Sequence, residues 1–447
     1  MGPAIRILNS HADIQFCVFR NNYAGMAGGA MLIDSSNITL SDCVFYQNNA
    51  TSVSDDFASS GGAIYYAGSD AHHMLIERCI FQENSAQHNG GAITAEPNAI
   101  HRGPQYFKIY DSVFQDNVAN GEGPCLTSTS CDASGGALYL SVADIQIVRT
   151  NFFNNRASAP DSTKMATGGA LFATNIFGTR SKLAATVIQD CNFTGNGAFG
   201  TGGAIYGASQ PLQINNTWFQ ENFVTSANPL FTDMPTYGGA VWYGGSSGVT
   251  SVTNSTFYRN YARSGWGGAF FIAESATVFI QFCKFLRNKV ISSYTNAGSG
   301  GAIMATGSSV LRVLDSSFSH NAASPDLTTS PLAYSGSAGA VFGQSSSITL
   351  ERCVFTGNRA FTGQFDSGSS GGAVTLEDCY PAKLEQCVFH SNAAAGFLGK
   401  SQYASPGTGG GLYIKFSSAN ITKCAFFSNW VSAGGSQNAL GGGMSSK

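Results

Sequence analysis

Leu350-Glu351-Arg352-Cys353-Val354-Phe355-Thr356-Gly357-Asn358 decides the fold of this chain. Its skeleton is an aliphatic residue, two free positions, a small Cys, Ser or Thr, one free position, Phe, two free positions and Asn. That skeleton occurs thirteen times, and a recurring period sets the architecture before any other feature is weighed. Phe19 pairs in this way with Asn22, Phe45 with Asn48, Phe81 with Asn84, Phe114 with Asn117, Phe152 with Asn155 and Phe193 with Asn196. The series continues with Phe219 and Asn222, Phe257 and Asn260, Phe285 and Asn288, Phe318 and Asn321, Phe355 and Asn358, Phe389 and Asn392, and Phe426 and Asn429. Five residues before every one of these Phe stands Ile, Leu or Val, from Ile14 to Ile421.

A second mark lies upstream of each unit, a Gly-Gly-Ala-aliphatic tetrad such as Gly61-Gly62-Ala63-Ile64 or Gly300-Gly301-Ala302-Ile303, with degenerate copies such as Ala338-Gly339-Ala340-Val341. In Gly61 to Asn84, a first strand is expected after the glycines, then a polar turn, then Met74 and Ile76 alternating with polar neighbours. Such alternation marks a half-buried strand. The step from Ile76 to Cys79 is three residues, so the chain must bend there before Cys79 and Phe81 resume the alternation. Three short strands and three bends per repeat describe one coil of a right-handed parallel β-helix, all-β, with about thirteen coils. No repeat sustains the three-and-four spacing that a helical solenoid needs.

Each repeat needs its neighbours to bury its apolar side, so residues 1–447 are read as a single β-helix domain, an excerpt of a longer repeat protein. Thirteen coils at the strand spacing predict a rod on the order of 60 Å long. Columns of Phe, of aliphatic residues and of Cys, Ser or Thr are expected inside. The Asn column is expected at a turn, because Asn tolerates the left-handed conformation and its amides can bond from coil to coil. The paired glycines suit a sharp turn or a close backbone approach.

Eight of the eleven cysteines occupy the small-residue slot: Cys17, Cys43, Cys79, Cys191, Cys283, Cys353, Cys387 and Cys424. Free Cys behaves as a small hydrophobe, and these read as reduced, stacked thiols. Cys125 and Cys131 stand apart in a long insertion; they could close a disulfide in an oxidising compartment or stay open.

The net charge of −3 argues against nucleic acid as a partner, since phosphate binding needs a basic stripe. No run of eighteen apolar residues is present to span a membrane, and Met1–Ser10 lacks the apolar core of an export signal. The segment from Asn to the next glycine pair varies from five residues (Asn84 to Gly90) to seventeen (Asn117 to Gly135). Variable insertions at one corner of a solenoid emerge on one face, often the binding face. Asp55-Asp56-Phe57, the Cys125–Cys131 loop and Phe223 to Tyr237 are the most chemically varied of them, and Tyr237, Trp242, Tyr243, Tyr261 and Trp266 read as exposed aromatics able to stack on sugars or anchor a protein.

Repeated Gly-Gly-Ala-aliphatic followed by Phe-x-x-Asn resembles the repeats of chlamydial polymorphic outer membrane proteins and of large surface proteins in other microbes. The resemblance implies a pectin-lyase-like parallel β-helix displayed extracellularly or at a cell surface and used in adhesion. The function expected is therefore a non-enzymatic structural stalk or adhesion module, its partner a protein or glycan of a host or neighbouring cell. The rival expectation is a lyase or hydrolase of acidic polysaccharides. That chemistry needs a carboxylate pair in register or acids holding calcium beside a basic residue, whereas Asp42, Glu77, Asp111, Asp190, Asp315, Glu351 and Glu385 read as a scattered, solvated ladder. The seven histidines lack metal spacing and no glycine pair leads into a helix, so no catalytic residue, metal or cofactor is expected.

Overall fold

The computed structural model describes residues 2–51, 59–68, 72–97, 106–121, 132–142, 144–159, 165–174, 185–226, 235–245, 248–292, 297–325, 336–361, 370–395, 407–432 and 442–446. The chain divides into two compact units, Met1–Trp218 and Phe219–Lys447. Within each unit every strand pairs in parallel with the equivalent strand one repeat away, and among the described residues there is no helix. This is a right-handed parallel β-helix.

The coil beginning at Gly61 shows how local chemistry makes each element. Its strands are Ile64–Gly68, His73–Glu77, Ile80–Gln82 and Ser85–Ala86. The coil thus has four strands, not three. The fourth is two residues long, follows the Asn, and turns only an Ala inward (Ala50, Ala86 and Ala119 in register). Some coils add a further two-residue strand just before the glycines, as at Gly200–Thr201 and Gly298–Ser299.

Each corner has its own device. Between the second and third strands one residue adopts a positive φ, for example Asp42 (54°), Arg78 (51°) and Asp315 (50°). That single left-handed residue breaks the alternation, which is why the aliphatic position and the slot lie three apart. Between the third and fourth strands the left-handed residue is the one before the Asn, such as Gln47, Glu83 and Arg287. The Asn itself is not left-handed, contrary to the sequence-based expectation, and this holds equally for Asn22, Asn196, Asn222, Asn392 and Asn429. At the last corner the two glycines divide the work. Gly300 turns the chain at φ 69°, and a Cβ on Gly301 would lie 2.2 Å from the carbonyl oxygen of Gly339 in the next coil. The second glycine is there for its missing side chain, and the first for its dihedral as well as for space, since a Cβ on Gly300 would lie 2.2 Å from the Ile303 carbonyl oxygen.

The interior is a set of columns. Phe45, Phe81, Phe114, Phe152 and Phe193 in the first unit are fully buried, with ring centroids 4.6–5.1 Å apart and planes within 10°. In the second unit Phe219, Phe257, Phe285, Phe318, Phe355, Phe389 and Phe426 repeat the stack at 4.6–4.8 Å. Beside it runs the Asn column. Asn288 donates from its backbone N–H (2.9 Å) and from Nδ2 (3.0 Å) to Oδ1 of Asn321, and from Nδ2 to the carbonyl of Phe257 (2.9 Å). Its own Oδ1 accepts the same pair from Asn260. Both unit interiors repeat this pattern, from Asn48 to Asn155 and from Asn260 to Asn358, so a buried amide is fully used in each coil.

The outlying members of the column follow the same rule. Asn22 donates twice to Asn48 Oδ1, at 3.2 and 2.8 Å, and Asn222 donates twice to Asn260 Oδ1, at 3.0 Å each. Asn196 accepts from Asn155 and donates Nδ2 to the Phe152 carbonyl (3.0 Å). Asn392 passes the chain to Asn429, whose Nδ2 reaches back to the Phe389 carbonyl (2.8 Å). Asn196, Asn222 and Asn392 are fully buried, whereas Asn22 and Asn429 are only half-buried.

Candidate binding surface

With the interior committed to packing and hydrogen bonds, chemistry must come from outward positions. The slot illustrates how completely the inside is used. Cys79 Sγ donates to the carbonyl of Glu77 (3.3 Å) and Ser112 Oγ to that of Tyr110 (2.8 Å), each two residues back across the left-handed turn. The same Ser112 Oγ accepts the backbone N–H of Cys79 in the preceding coil (3.0 Å). The slot therefore selects for a small group that both donates and accepts, not merely for small size. Burial pushes the thiols of Cys79, Cys191 and Cys283 up to about 12, and the slot cysteines are free thiols.

Outside the slot corner runs a ladder of charge. Arg78 donates through Nε and Nη2 to both oxygens of Asp42 (2.8 and 2.7 Å). Arg149 holds Asp111 the same way (2.7 and 2.8 Å), and Arg352 holds Asp315 (2.6 and 2.9 Å). These contacts hold each of the three carboxyls below its usual range. Asp190 is lowered as well, chiefly by the amide of Asn216, which donates to it at 2.6 Å.

Glu351 and Glu385, read from sequence as scattered, are register partners on adjacent strands. They occupy the same place in consecutive repeats, Leu-Glu-Arg-Cys and Leu-Glu-Gln-Cys, and that repetition was the signal for their pairing. Lys383 Nζ spans them, 3.4 Å from Glu351 Oε1 and 2.7 Å from Glu385 Oε2. Arg312 and Arg352 also approach Glu351, at 3.4 and 3.7 Å. The Lys383 ammonium lowers the Glu385 carboxyl. Both acids thus face cations, and the Lys383 contact holds Glu385 toward its ionised form, which suits a cross-coil tie better than a proton donor.

The aromatic candidates separate in the structure. Tyr243 is fully buried inside its coil and Trp242 is 7% exposed, because their strand alternates between a filled interior and a covered outer face. Neither is an exposed ring. Tyr237 is half-buried against Trp266 and Phe271, with centroids at 5.3 and 4.7 Å. Trp266 Nε1 donates to the carbonyl of Ala297 (2.8 Å), and Tyr261 stacks on Phe223 at 5.5 Å. An outer ladder that the sequence-based reading missed, Tyr139–Phe172–Tyr206, stacks at 4.8 Å on the first strands of unit one. Its signal was an aromatic two residues after the tetrad's Ala in successive repeats.

Asp55-Asp56-Phe57, Cys125, Cys131 and most of Phe223 to Tyr237 lie outside the described residues. His73 opens a strand and is exposed. Among the described residues no cluster of His, Cys, Asp or Glu could hold a metal, and no helix is long and apolar enough to cross a membrane.

Comparison with known proteins agrees with this geometry. Residues 238–444 match the right-handed β-helix region family, and residues 78–96 match the Chlamydia polymorphic membrane protein repeat. The chain is 26% identical over 204 residues to the probable autotransporter YfaL of Escherichia coli, an alignment covering 44% of this chain and 15% of that protein. It is 27% identical over 241 residues to the probable outer membrane protein pmp6 of Chlamydia pneumoniae, covering 48% of this chain and 17% of that protein. The chain therefore spans well under a fifth of the length of either relative in these alignments. By motif, coil and register it is a right-handed parallel β-helix whose repeats resemble the Chlamydia polymorphic membrane protein repeat that residues 78–96 match.

Proposed function

We propose that this chain is a cell-surface or extracellular β-helix that works without catalysis, as a spacer or adhesion module presenting corner loops to a protein or glycan on another cell. The observation that carries the reading is the contrast between inside and outside. Phe, Asn and slot positions repeat from coil to coil and spend their hydrogen bonds on one another, whereas corner length and outward chemistry vary. A scaffold of that kind holds its backbone fixed while its corners differ, which is the usual division of labour between a rigid frame and binding loops. The names of the two relatives, an autotransporter and an outer membrane protein, support placement at a surface. The test is attachment of beads coated with the purified chain to a panel of cells, with and without enzymatic removal of surface glycans. Absence of attachment to every cell type sinks the adhesion reading.

A second reading rests on Glu351 and Glu385, a carboxylate pair in register beside Arg and Lys. It would make the chain a lyase or hydrolase of acidic glycans. Release of unsaturated uronates or reducing ends from a polysaccharide panel, with and without calcium, decides it. Turnover abolished by Glu351→Gln would replace the adhesion reading with this one.

A further inference from the structure

In unit two the corner between the first and second strands changes length from coil to coil. Counted between residues in register, four residues lie between Ala305 and Val310, three between Gly343 and Ser347, and four between Leu376 and Pro381. A short corner between two longer ones must leave a notch one coil deep. The structure has a cavity there of about 420 Å³, lined by Ser308, Val310, Ser345, Ser346, Ser347, Asp378 and Tyr380. That volume is within the range of small-ligand sites.

Ser346 turns inward and donates to the carbonyl of Gln344 (2.8 Å), closing the short corner. Ser308 and Ser345 are exposed and Ser347 half-buried, and among the described residues their hydroxyls have no partner. Backbone bonds fix the floor: Ser308 N–H to the Ser345 carbonyl, Ser345 N–H to the Glu377 carbonyl and Ser347 N–H to the Ser309 carbonyl, at 2.9–3.0 Å. Asp378 forms no salt bridge among the described residues, although the nearby lysines do. Lys415 is engaged by Glu377, and Lys383 by Glu351 and Glu385. On the wall stands Tyr380, 62% exposed.

We infer that this notch is a subsite for one neutral pyranose residue of a glycan, with Tyr380 covering an apolar C–H face of the ring and Asp378 with the serine hydroxyls taking its hydroxyl groups. The chemistry favours that class on three counts. An exposed aromatic ring offers an apolar face with a polar tip. A carboxylate outside any salt bridge among the described residues and several hydroxyls, on a floor fixed by backbone bonds, match vicinal sugar hydroxyls as acceptors and donors. The Asp378 carboxylate in the lining, which Lys415 meets only across space while that lysine is engaged by Glu377, disfavours a uronate or sulfated sugar. This deepens the adhesion reading, since it names a ligand class for it, and it rests on that reading only for its biological use.

The test is saturation-transfer NMR on the full chain with methyl glycosides of glucose, galactose, mannose and N-acetylglucosamine, against glucuronate and galacturonate. At least one neutral glycoside should receive saturation, strongest on one ring face, and both uronates none. Tyr380→Ala should weaken the affinity about tenfold, the effect of losing one ring contact. Ser347→Trp, which fills the notch and leaves Tyr380 in place, should abolish the signal, with far-UV circular dichroism confirming that both variants fold. No transfer from any neutral glycoside, equal transfer from uronates, or full binding by Tyr380→Ala overturns the subsite. Cell attachment that survives in a chain without sugar binding removes the notch alone, whereas sugar binding without attachment to any cell removes the adhesion role alone.

Discussion

Replacing Asn288 by Ala tests the buried amide column directly. In the native chain its Oδ1 accepts both the backbone N–H and Nδ2 of Asn260, and its Nδ2 donates to Asn321 Oδ1 and to the carbonyl of Phe257. Alanine keeps only the backbone N–H bond to Asn321. It leaves the Asn260 N–H, one Asn260 amide hydrogen and the Phe257 carbonyl without their partners, in a site where all three Asn are fully buried. At about 1–2 kcal/mol for each orphaned buried group, the cost is about 3–6 kcal/mol. Asn288→Asp sharpens the test, because it keeps shape and volume and loses only the donors. A carboxylate there accepts from Asn260 but sets its second oxygen against Asn321 Oδ1 and the Phe257 carbonyl. The Asp variant should lose at least as much stability as the Ala variant, and its deficit should narrow in acid as protonation restores a donor. Denaturant unfolding followed by tryptophan fluorescence gives the loss, and amide exchange at Asn260 locates it. A loss below about 1 kcal/mol for Ala, or a native-like Asp variant, would refute the view that the column is a structural hydrogen-bond chain.

Four further outcomes follow from the same coils. Phe285→Ala should cost roughly 3–5 kcal/mol in the same unfolding assay, by lost burial and a cavity between Phe257 and Phe318. Gly300→Ala and Gly301→Ala should both lower the melting temperature, since a Cβ at either would lie 2.2 Å from a backbone oxygen, that of Ile303 or of Gly339. Gly301→Ala should cost more, because Ala338 already occupies the first glycine position of its own coil at φ 54°; equal melting temperatures would contradict this. Asp315 should titrate below the ordinary 3.8 in carbon-13 NMR and return toward it in Arg352→Gln; since its folded pKa is the lower one, the stability of that pair is present at neutral pH and lost as pH falls below 3.8 through the folded value. Cys79 and Cys283, with thiols pushed up to about 12, should resist iodoacetamide at pH 8 until denaturant is added, as read by mass spectrometry; rapid labelling of the folded chain would show that the slot is open.

The coil was legible because its inward positions repeat in identity, so a period read from Phe and Asn fixes register without any pairing calculation. What was less legible depended on single residues acting through the backbone. The fourth strand is only two residues long, too short for alternation to show, although the Ala at 24, 50, 86, 119 and 157 marks it. Left-handedness was assigned to Asn for its propensity, whereas Asp, Arg, Gln and Glu carry it at neighbouring positions, held there by the coil-to-coil ladder. Tertiary pairing overrides the local preference. Size alone made Cys, Ser and Thr look interchangeable, and only the contacts show that the slot needs a group that donates and accepts. The register of Glu351 with Glu385 was written in two consecutive repeats but was obscured when the acids were taken one at a time.

Where, then, can such a coil acquire a ligand site? Outward residues on the strands are spaced by the ladder itself, about 4.8 Å apart along each column, and a column so regular forms ridges and not hollows. On the slot corner the ridges are closed by ion pairs such as Arg352 with Asp315. Concavity requires a step in corner length, because only then does one coil recede between its neighbours. The corner at Ser345-Ser346 is such a step, one residue shorter in register than the corners on either side. Inserting one residue there, a Gly between Ser345 and Ser346, would level the corner without touching Tyr380 or Asp378. If the step makes the site, that insertion should erase the cavity and any sugar binding while leaving the unfolding midpoint close to native, since the Phe and Asn columns are untouched. Sugar binding that survives the insertion would show that the ligand is held by Tyr380 alone on an open surface, and that corner length has no part in it.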